Sequence, residues 1–289
     1  YEKAEQICRT EHVPVIVHVN ELTQPLGHST SGSHERYKSE ERLKWEKDYD
    51  CIKKMRQWIL DNNIISSKDL DKIEEAWKKS DKIAMVGFNR RYAPFTEEIN
   101  TFFKNRISPM VAYYRINAES IPHDHWVYDK KEGGGRIISE ACHFIDYLTY
   151  VIGSKPIQVF TSSITTQKSQ DTMDNFAINL SFEDGSTGTI IYTSKGNKKL
   201  SKERAEFFAD DKTAILDNFK NLKLISNVKD ETKKNMLSQD KGHKNEFKFL
   251  IENIKIGNRM ENEFLLSLYS SRATVAAQKS MISKLPEKV

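Results

Sequence analysis

The sequence has 289 residues, enough for one large domain or two ordinary ones, and its 38% hydrophobic and 30% charged residues are typical of a water-soluble globular protein with a sizeable core. The 45 Lys and Arg residues nearly balance the 41 Asp and Glu residues, so the net charge of +4 gives no electrostatic argument for nucleic-acid binding. No apolar run reaches the roughly 18 residues that a membrane-spanning helix needs, so no membrane partner is expected.

The three cysteines, Cys8, Cys51 and Cys142, lie far apart and form no C-x-x-C pair, which argues against a zinc site or a redox pair. Sparse cysteine usage with an odd count is typical of a reducing compartment. The first 12 residues also lack the apolar segment of a signal peptide. We therefore expect a cytoplasmic protein.

The first 80 residues predict a small module of one strand and two helices. Residues 13–19, VPVIVHV, are β-branched and nearly continuous, which predicts a buried strand, and a polar loop with Pro and Gly follows at 21–37. Ser39 can cap a helix over 40–63, where apolar residues recur at helical spacing. A second amphipathic helix begins at Ser66 or Ser67 and ends near Ser80.

From residue 82 onwards the pattern changes to that of a sheet domain. Residues 82–89, KIAMVGFN, predict a buried strand, and Pro94 begins a helix. A strand over 109–120 follows, then a mostly buried helix over 136–153 that Gly153 ends. Further strands are predicted at 157–166, 175–182, 187–194, 203–209, 214–219 and 223–226, and helices at 242–256 and 262–284. Asp184-Gly185 is a strong hairpin signal, so we predict an α+β fold whose large open sheet is mostly antiparallel, with helices on one face.

The three glycines at 133–135 do not form a nucleotide-binding loop. Gly133 and Gly135 supply the first pair of a G-x-G-x-x-G fingerprint, but Ile138 occupies the third position and no strand precedes them. No GK[ST] sequence occurs either, which excludes a P-loop. The glycines more readily provide backbone freedom for a close approach at a helix start, although a plain flexible turn is the alternative.

The helix after the glycines carries one polar stripe on an otherwise apolar surface. Glu140, His143 and Asp146 are each three residues apart, which brings side chains together on a helix face. An imidazole between carboxylates can exchange a proton near neutral pH, so these three are the candidate catalytic residues. A core histidine with satisfied hydrogen bonds is an equal alternative, whereas metal ligation is disfavoured because HExxH-type spacing is absent.

Three separated motifs occur in order: MVGFNRRYAPF at 85–95, DHWVYDKKEGGGRIISEACHFID at 124–146 and QDKGHKNEF at 239–247. Together they resemble the Gfo/Idh/MocA oxidoreductases over residues 68–284. The resemblance implies an N-terminal Rossmann domain that binds NAD(P) and a C-terminal α+β domain with a large open sheet on the substrate side. It also implies a dehydrogenase or reductase of a sugar or polyol.

The resemblance assigns roles to individual residues. His143 matches the histidine that acts in proton transfer, while the family's Asp four residues earlier falls on Ser139, with Glu140 one residue on. Asn89, Arg90 and Arg91 stand where the last Rossmann strand opens toward the cofactor. His125 and Trp126 precede the glycines and are candidate substrate-pocket residues; His243 reads as a capping or packing residue.

Two features of that family are missing from this sequence. The 289 residues contain neither the G-x-G-x-x-G fingerprint nor the E-K-P motif that carries the family's catalytic lysine. Residues 1–65 do not read as a Rossmann domain either. We therefore expect no complete Rossmann domain, weak or no NAD(P) binding and a chain that is catalytically incomplete by itself.

The N-terminal stretch contains GHSTS at 27–31, followed by RYKS. These residues resemble the C-terminal part of the E1 α subunit of thiamine-diphosphate 2-oxo acid dehydrogenases. The resemblance places His28 near thiamine diphosphate and makes Ser29 or Ser31 a phosphorylation site. The family's GDG motif for magnesium and diphosphate is absent, so a solvated polar turn is the preferred reading of this loop.

The two resemblances predict a chimera with three parts: an E1-like segment at 1–66, a remnant of the last Rossmann helix and strand at 67–95, and a sheet domain at 96–289. The join is expected between Ile65 and Lys82. The favoured function is an oxidoreductase by descent, without a metal. The alternatives are a non-catalytic sheet domain that forms homo-oligomers through its open face, and a fragment of a thiamine-diphosphate enzyme.

Overall fold

The structure, a computed structural model, describes residues 39–48, 70–80, 83–122, 124–129, 133–165, 173–235 and 239–289. The chain forms two compact units, Tyr1–Asp69 and Leu70–Val289. In the first unit, helix α1 spans Glu40–Asp48, and the backbone N–H of Arg42 donates to Ser39 Oγ at 3.2 Å. The predicted N-cap at Ser39 is therefore confirmed.

Several N-terminal predictions lie outside the described residues. They are the strand at 13–19, the loop with His28, Ser29 and Ser31, and the continuation of the α1 helix beyond Asp48. The division of the chain at residue 66 and the chimera itself likewise stay predictions.

The described part of the second unit contains five α-helices. They are α2 (Leu70–Lys79), α3 (Pro94–Phe103), α4 (Cys142–Ile152), α5 (His243–Lys255) and α6 (Glu261–Ser283). Pro94 begins α3, and Gly153 ends α4 with a left-handed φ of 70°, both as predicted. No helix within the described ranges is long and apolar enough to cross a membrane.

The sheet has nine strands in the described residues. They are β1 (Val111–Asn117), β2 (Pro156–Ser163), β3 (Phe176–Phe182), β4 (Thr187–Thr193), β5 (Glu203–Ala209), β6 (Lys212–Asp217), β7 (Asn221–Ser226), β8 (Lys229–Lys234) and β9 (Glu287–Lys288). Their order is β8-β7-β6-β5-β1-β4-β3-β2-β9, and only the β1–β4 pair is parallel. The predicted large, open and mostly antiparallel sheet is confirmed.

The core lies on one face of this sheet because apolar side chains alternate along the strands. In β1 the side chains of Ala112, Tyr114 and Ile116 are buried, while those between them are not. Helices α4 and α6 cover the buried face. The contact is close: Ser280 of α6 accepts a hydrogen bond from the backbone N–H of Thr161 in β2 at 2.9 Å. Placement of the helices on one face is thus confirmed.

Two elements differ from the sequence-based prediction. Strand β8, KDETKK, has no apolar residue to reveal it, and it forms as an edge strand paired with β7. Conversely, the predicted strand at 82–89 is wrong, since residues 83–88 have no strand assignment and Asn89 begins a 3-10 turn. A strand requires ladder partners, and no described strand runs beside this segment.

Candidate active site

The candidate site lies where a 3-10 turn, Asn89–Tyr92, meets α4 and the start of α5. Hydrogen bonds to two other segments hold this turn in place. Arg91 Nε donates to Asp146 of α4 at 2.8 Å, and Asn89 Nδ2 donates to the carbonyl of Lys241, just before α5, at 2.8 Å. Three segments far apart in sequence are thereby brought to one place.

The three glycines before α4 permit close backbone packing. A Cβ atom on Gly133 would lie 2.4 Å from the backbone of Val127, and both Gly134 and Gly135 have a left-handed backbone, with φ of 68° and 83°. The predicted use of these glycines for backbone freedom is confirmed. They lead through Arg136 into a π-helical turn, Ile137–Ala141, directly before α4.

The predicted stripe of Glu140, His143 and Asp146 does not form a connected set. Glu140 pairs with Arg136 and accepts from the Tyr192 hydroxyl at 3.0 Å. Asp146 accepts from Arg91 and from Ser270 Oγ, the latter at 2.9 Å. No hydrogen bond in the described structure joins either carboxylate to His143. One reason is that Glu140 lies in the π turn, which breaks the regular helical spacing.

His143 has a hydrogen-bonding atom that the protein does not use. Its Nδ1 atom is buried and has no partner among the described residues. The ring lies edge-on to Phe88, with 5.6 Å between ring centroids. Burial lowers the pKa of His143 to about 4; the charge on Arg90 adds to this effect and that on Glu203 opposes it. The imidazole is therefore neutral at neutral pH, the form that accepts a proton.

A buried ionic network lies beside His143. The Glu203 carboxylate accepts from Arg90 Nε and Nη2, both at 2.9 Å, from the Tyr114 hydroxyl at 2.6 Å and from Lys241 Nζ at 2.6 Å. Burial by itself raises the pKa of Glu203, but Arg90 and Lys241 outweigh it and hold the pKa well below its usual range. Two cations and one anion leave this network with a net positive charge.

The residues predicted to contact NAD(P) are engaged by the protein itself. Arg90 binds Glu203, Arg91 binds Asp146 and the carbonyl of Glu263, and Asn89 binds the Lys241 carbonyl. Their side chains therefore stabilise the site, and their predicted contact with a cofactor stays a prediction.

The turn at the three glycines does not fit the pyrophosphate of a dinucleotide. A pyrophosphate requires free backbone N–H groups at a glycine turn between a strand and a helix. Here the N–H groups of Gly133 and Gly134 both donate to the Asp129 carbonyl at 2.9 Å, and the preceding element is a 3-10 turn. A binding site for the NAD(P) pyrophosphate would therefore have to be formed by residues other than this glycine turn.

The two predicted substrate residues lie on the loop against the glycines. His125 Nδ1 accepts from the backbone N–H of Val127 at 3.3 Å and so caps the 3-10 turn Trp126–Tyr128. Burial, together with the charge on Arg136, lowers the pKa of His125. Both His125 and Trp126 are half-buried. Their contact with a substrate stays a prediction.

Sequence reasoning missed three charged residues at the site: Glu203, Lys241 and Glu246. Glu203 looked like the polar start of an ordinary strand, and its partners lie 38 and 113 residues away in sequence. Lys241 and Glu246 stood inside the quoted QDKGHKNEF motif, which was the available signal. Within the described structure, no group of three or more His, Cys, Asp or Glu residues is arranged to hold a metal ion.

Comparison with protein families gives one match. Residues 108–214 match the GFO/IDH/MocA C-terminal domain. The matched stretch of this chain includes β1 to β5 and α4. No curated protein matches the chain.

Solved structures share the fold. A probable dehydrogenase from Thermotoga maritima is 22% identical, with a TM-score of 0.58 over 76% of this chain and 69% of its own. Levoglucosan dehydrogenase, in a complex with NADH and levoglucosan, is 15% identical, with a TM-score of 0.65 over 77% and 70%. Aldose-aldose oxidoreductase from Caulobacter crescentus, complexed with glycerol, is 14% identical, with a TM-score of 0.61 over 77% and 68%. At these identities the likeness is one of fold.

Proposed function

We propose that this chain is the substrate-side part of an NAD(P)-dependent oxidoreductase that acts on a sugar or polyol, with His143 as the residue that exchanges a proton with the substrate hydroxyl. The observation that carries the proposal is the buried Nδ1 atom of His143, which lacks a partner in the described structure. The charged groups around it, Arg90, Glu203 and Asp146, are paired with other protein groups. A ring nitrogen without a protein partner is what an imidazole needs in order to exchange a proton with a substrate hydroxyl.

The chemistry assigned to these residues is proton transfer. Oxidation of a carbinol removes a hydride from carbon and a proton from oxygen, and His143 would take that proton. The net positive network of Arg90, Lys241 and Glu203 favours negative charge developing on the substrate oxygen. Hydride transfer would be the chemistry of a nicotinamide cofactor.

The comparisons support the substrate class. Residues 108–214 match the GFO/IDH/MocA C-terminal domain. Two proteins that share the fold are sugar oxidoreductases by name, one of them with NADH and levoglucosan bound and the other with glycerol. A sugar or polyol is therefore the ligand class to test first.

Binding of NADH to this chain is expected to be weak or absent. The sequence has no G-x-G-x-x-G fingerprint and no E-K-P motif. We predict that a fluorescence titration of NADH with the 289-residue chain gives no saturable signal in the micromolar range. Micromolar affinity would show that residues other than the described ones supply a dinucleotide site.

The proposed role of His143 can be tested by NMR on chain labelled with ¹⁵N-histidine. D-sorbitol, myo-inositol and D-glucose are titrated separately, with His143 assigned by its loss in His143→Asn. We expect at least one of them to shift the imidazole nitrogens saturably, while 1-propanol does not. If the three leave the His143 signals unchanged, the proposed function is wrong.

Assembly through the open sheet face is a second proposal, favoured by exposed apolar side chains there. Val111 of β1 stands directly opposite Phe208 of β5, and they are 54% and 38% exposed. Ile191 of β4, 37% exposed, lies on the same face opposite Arg115, four residues along β1 from Val111. We infer that this face pairs with a second copy of the chain, which would remove these side chains from water.

A further inference from the structure

Glu246, the fourth residue of α5, has a buried carboxylate oxygen that the protein leaves unpaired. The residue is only 7% exposed, and its Oε1 atom has no hydrogen-bond partner in the described part of the chain. The cation that acts on it is Arg91, whose guanidinium is already committed to Asp146 and to the carbonyl of Glu263. Burial raises the pKa of Glu246, and Arg91 opposes that rise only in part.

Such a group is unfavourable for the fold alone. Buried polar atoms are nearly always hydrogen-bonded, and a buried carboxylate without a donor is among the least favourable exceptions. An apolar residue at this position would avoid the penalty, and a glutamine would reduce it by removing the charge. The exception therefore calls for an explanation outside the folding of the chain.

The position of Glu246 relates it to His143. A Cβ atom on Gly87 would lie 3.6 Å from Glu246 Oε1, while the ring of Phe88, the next residue, lies against His143. Two adjacent residues of one segment thus lie near Glu246 and His143. His243, one helical turn before Glu246, is close enough to His143 to contribute to lowering its pKa.

Gly87 places no side chain over the buried carboxylate. Its backbone is not among the left-handed positions, so its conformation does not require glycine. A Cβ atom there would lie in van der Waals contact with the buried Oε1, whereas glycine adds no side chain, and Gly87 itself is exposed to solvent.

We propose that Glu246 is a hydroxyl-binding residue of this site, whose carboxylate accepts hydrogen bonds from a vicinal diol. A carboxylate has two acceptor oxygens and no donor, which complements two neighbouring O–H groups. The diol belongs either to a sugar or polyol substrate or to a nucleotide ribose. The assignment rests on the proposed function only in treating His143 and Glu246 as parts of one site.

Two variants test the binding of a diol separately from the stability of the fold. Glu246→Gln keeps the shape and removes the charge, and Gly87→Ala places a methyl group over Oε1 without removing the carboxylate. The matched control is Glu252→Gln, on the same helix, where the side chain is 61% exposed and pairs loosely with Lys248. We expect Glu246→Gln to raise Tm, because an unpaired buried charge is lost, and Glu252→Gln to leave Tm unchanged.

The test is an NMR titration of chain labelled with ¹³C at the glutamate carboxyl carbons and ¹⁵N at histidine. The probes are glycerol, D-sorbitol, 1,3-propanediol, which lacks a vicinal diol, and adenosine, which carries the ribose diol. In wild type the Glu246 signal should shift saturably with either the first two or adenosine, which identifies the source, and not with 1,3-propanediol. In Glu246→Gln and Gly87→Ala, affinity reported by His143 should fall about 10- to 100-fold.

Each other result overturns the proposal. If D-sorbitol shifts His143 but no diol shifts Glu246, the inference about Glu246 is wrong and the function proposed for His143 stands. If neither residue responds to any probe, both are wrong. If Glu246→Gln lowers Tm and leaves the diol affinity unchanged, the carboxylate is a structural group.

Discussion

The Glu203 carboxylate is only 1% exposed and accepts hydrogen bonds from Arg90, Lys241 and the Tyr114 hydroxyl. Replacing Glu203 by glutamine would leave Arg90 and Lys241, whose side chains are only 11% and 19% exposed, without a counter-charge. We expect Glu203→Gln to lower the free energy of unfolding by about 3–5 kcal/mol, measured by urea denaturation. The control is Glu206→Gln on the same strand, where the side chain is 24% exposed, and we expect a loss of about 1 kcal/mol or less. Equal losses would contradict a special role for Glu203.

The lowered pKa of His143 predicts how stability depends on pH. The unfolded chain binds a proton at this residue near its ordinary value of 6.5, whereas the folded chain binds it near about 4. Between these values the unfolded state holds more protons, so stability falls as the pH is lowered from 6.5 to 4, by roughly 3 kcal/mol in total from this residue. Denaturation of His143→Asn at several pH values in this range should show a free energy of unfolding that depends less on pH than that of the wild type. An unchanged slope would mean that His143 titrates normally.

At the residue scale, His143 was predictable and its environment was not. The sequence placed a histidine between two carboxylates at helical spacing. The structure instead directs Asp146 to Arg91, 55 residues away, and Glu140 to Arg136 and Tyr192. Spacing of three predicts contact only in an uninterrupted α-helix, and nothing in the sequence marked the π turn or the long-range partners.

Among the elements, the loop before α4 depends on Gly133. A Cβ atom there would lie 2.4 Å from the backbone of Val127, and backbone atoms cannot move aside cheaply. We expect Gly133→Ala to lower the free energy of unfolding by roughly 3 kcal/mol or more. Gly153→Ala is the control: its φ is left-handed at 70°, unlike that of Gly133, but its Cβ would meet nothing within 4 Å, so only the backbone cost of about 1 kcal/mol is expected. Calorimetric unfolding that ranks the two the other way would contradict the crowded loop.

Elements with a strong apolar pattern were predicted well, and those defined by their neighbours were not. The alternating strands β3 and β5 and the helix from Pro94 were evident from the sequence. Strand β8 has only charged and polar residues and forms because β7 offers an open edge. The segment at 83–88 is apolar but forms no strand, because no described strand lies beside it.

For the whole molecule, the open sheet face is the predicted surface of self-association. We expect light scattering to find an oligomer for the wild-type chain. Phe208→Glu should dissociate the oligomer, because the substitution would bury a charge in the interface, beside Val111 on the neighbouring strand. Val228→Glu is the control, since Val228 is 96% exposed in the turn before β8. A wild-type monomer would contradict assembly through this face.

The function proposed for the whole molecule requires that the neutral imidazole of His143 meets the substrate hydroxyl. A crystal structure of the chain with a bound polyol such as D-sorbitol tests this most directly. We predict a polyol oxygen within about 2.6–3.2 Å of a His143 ring nitrogen. A polyol bound elsewhere, with no oxygen within hydrogen-bonding distance of the His143 ring, would contradict the proposed role of this site.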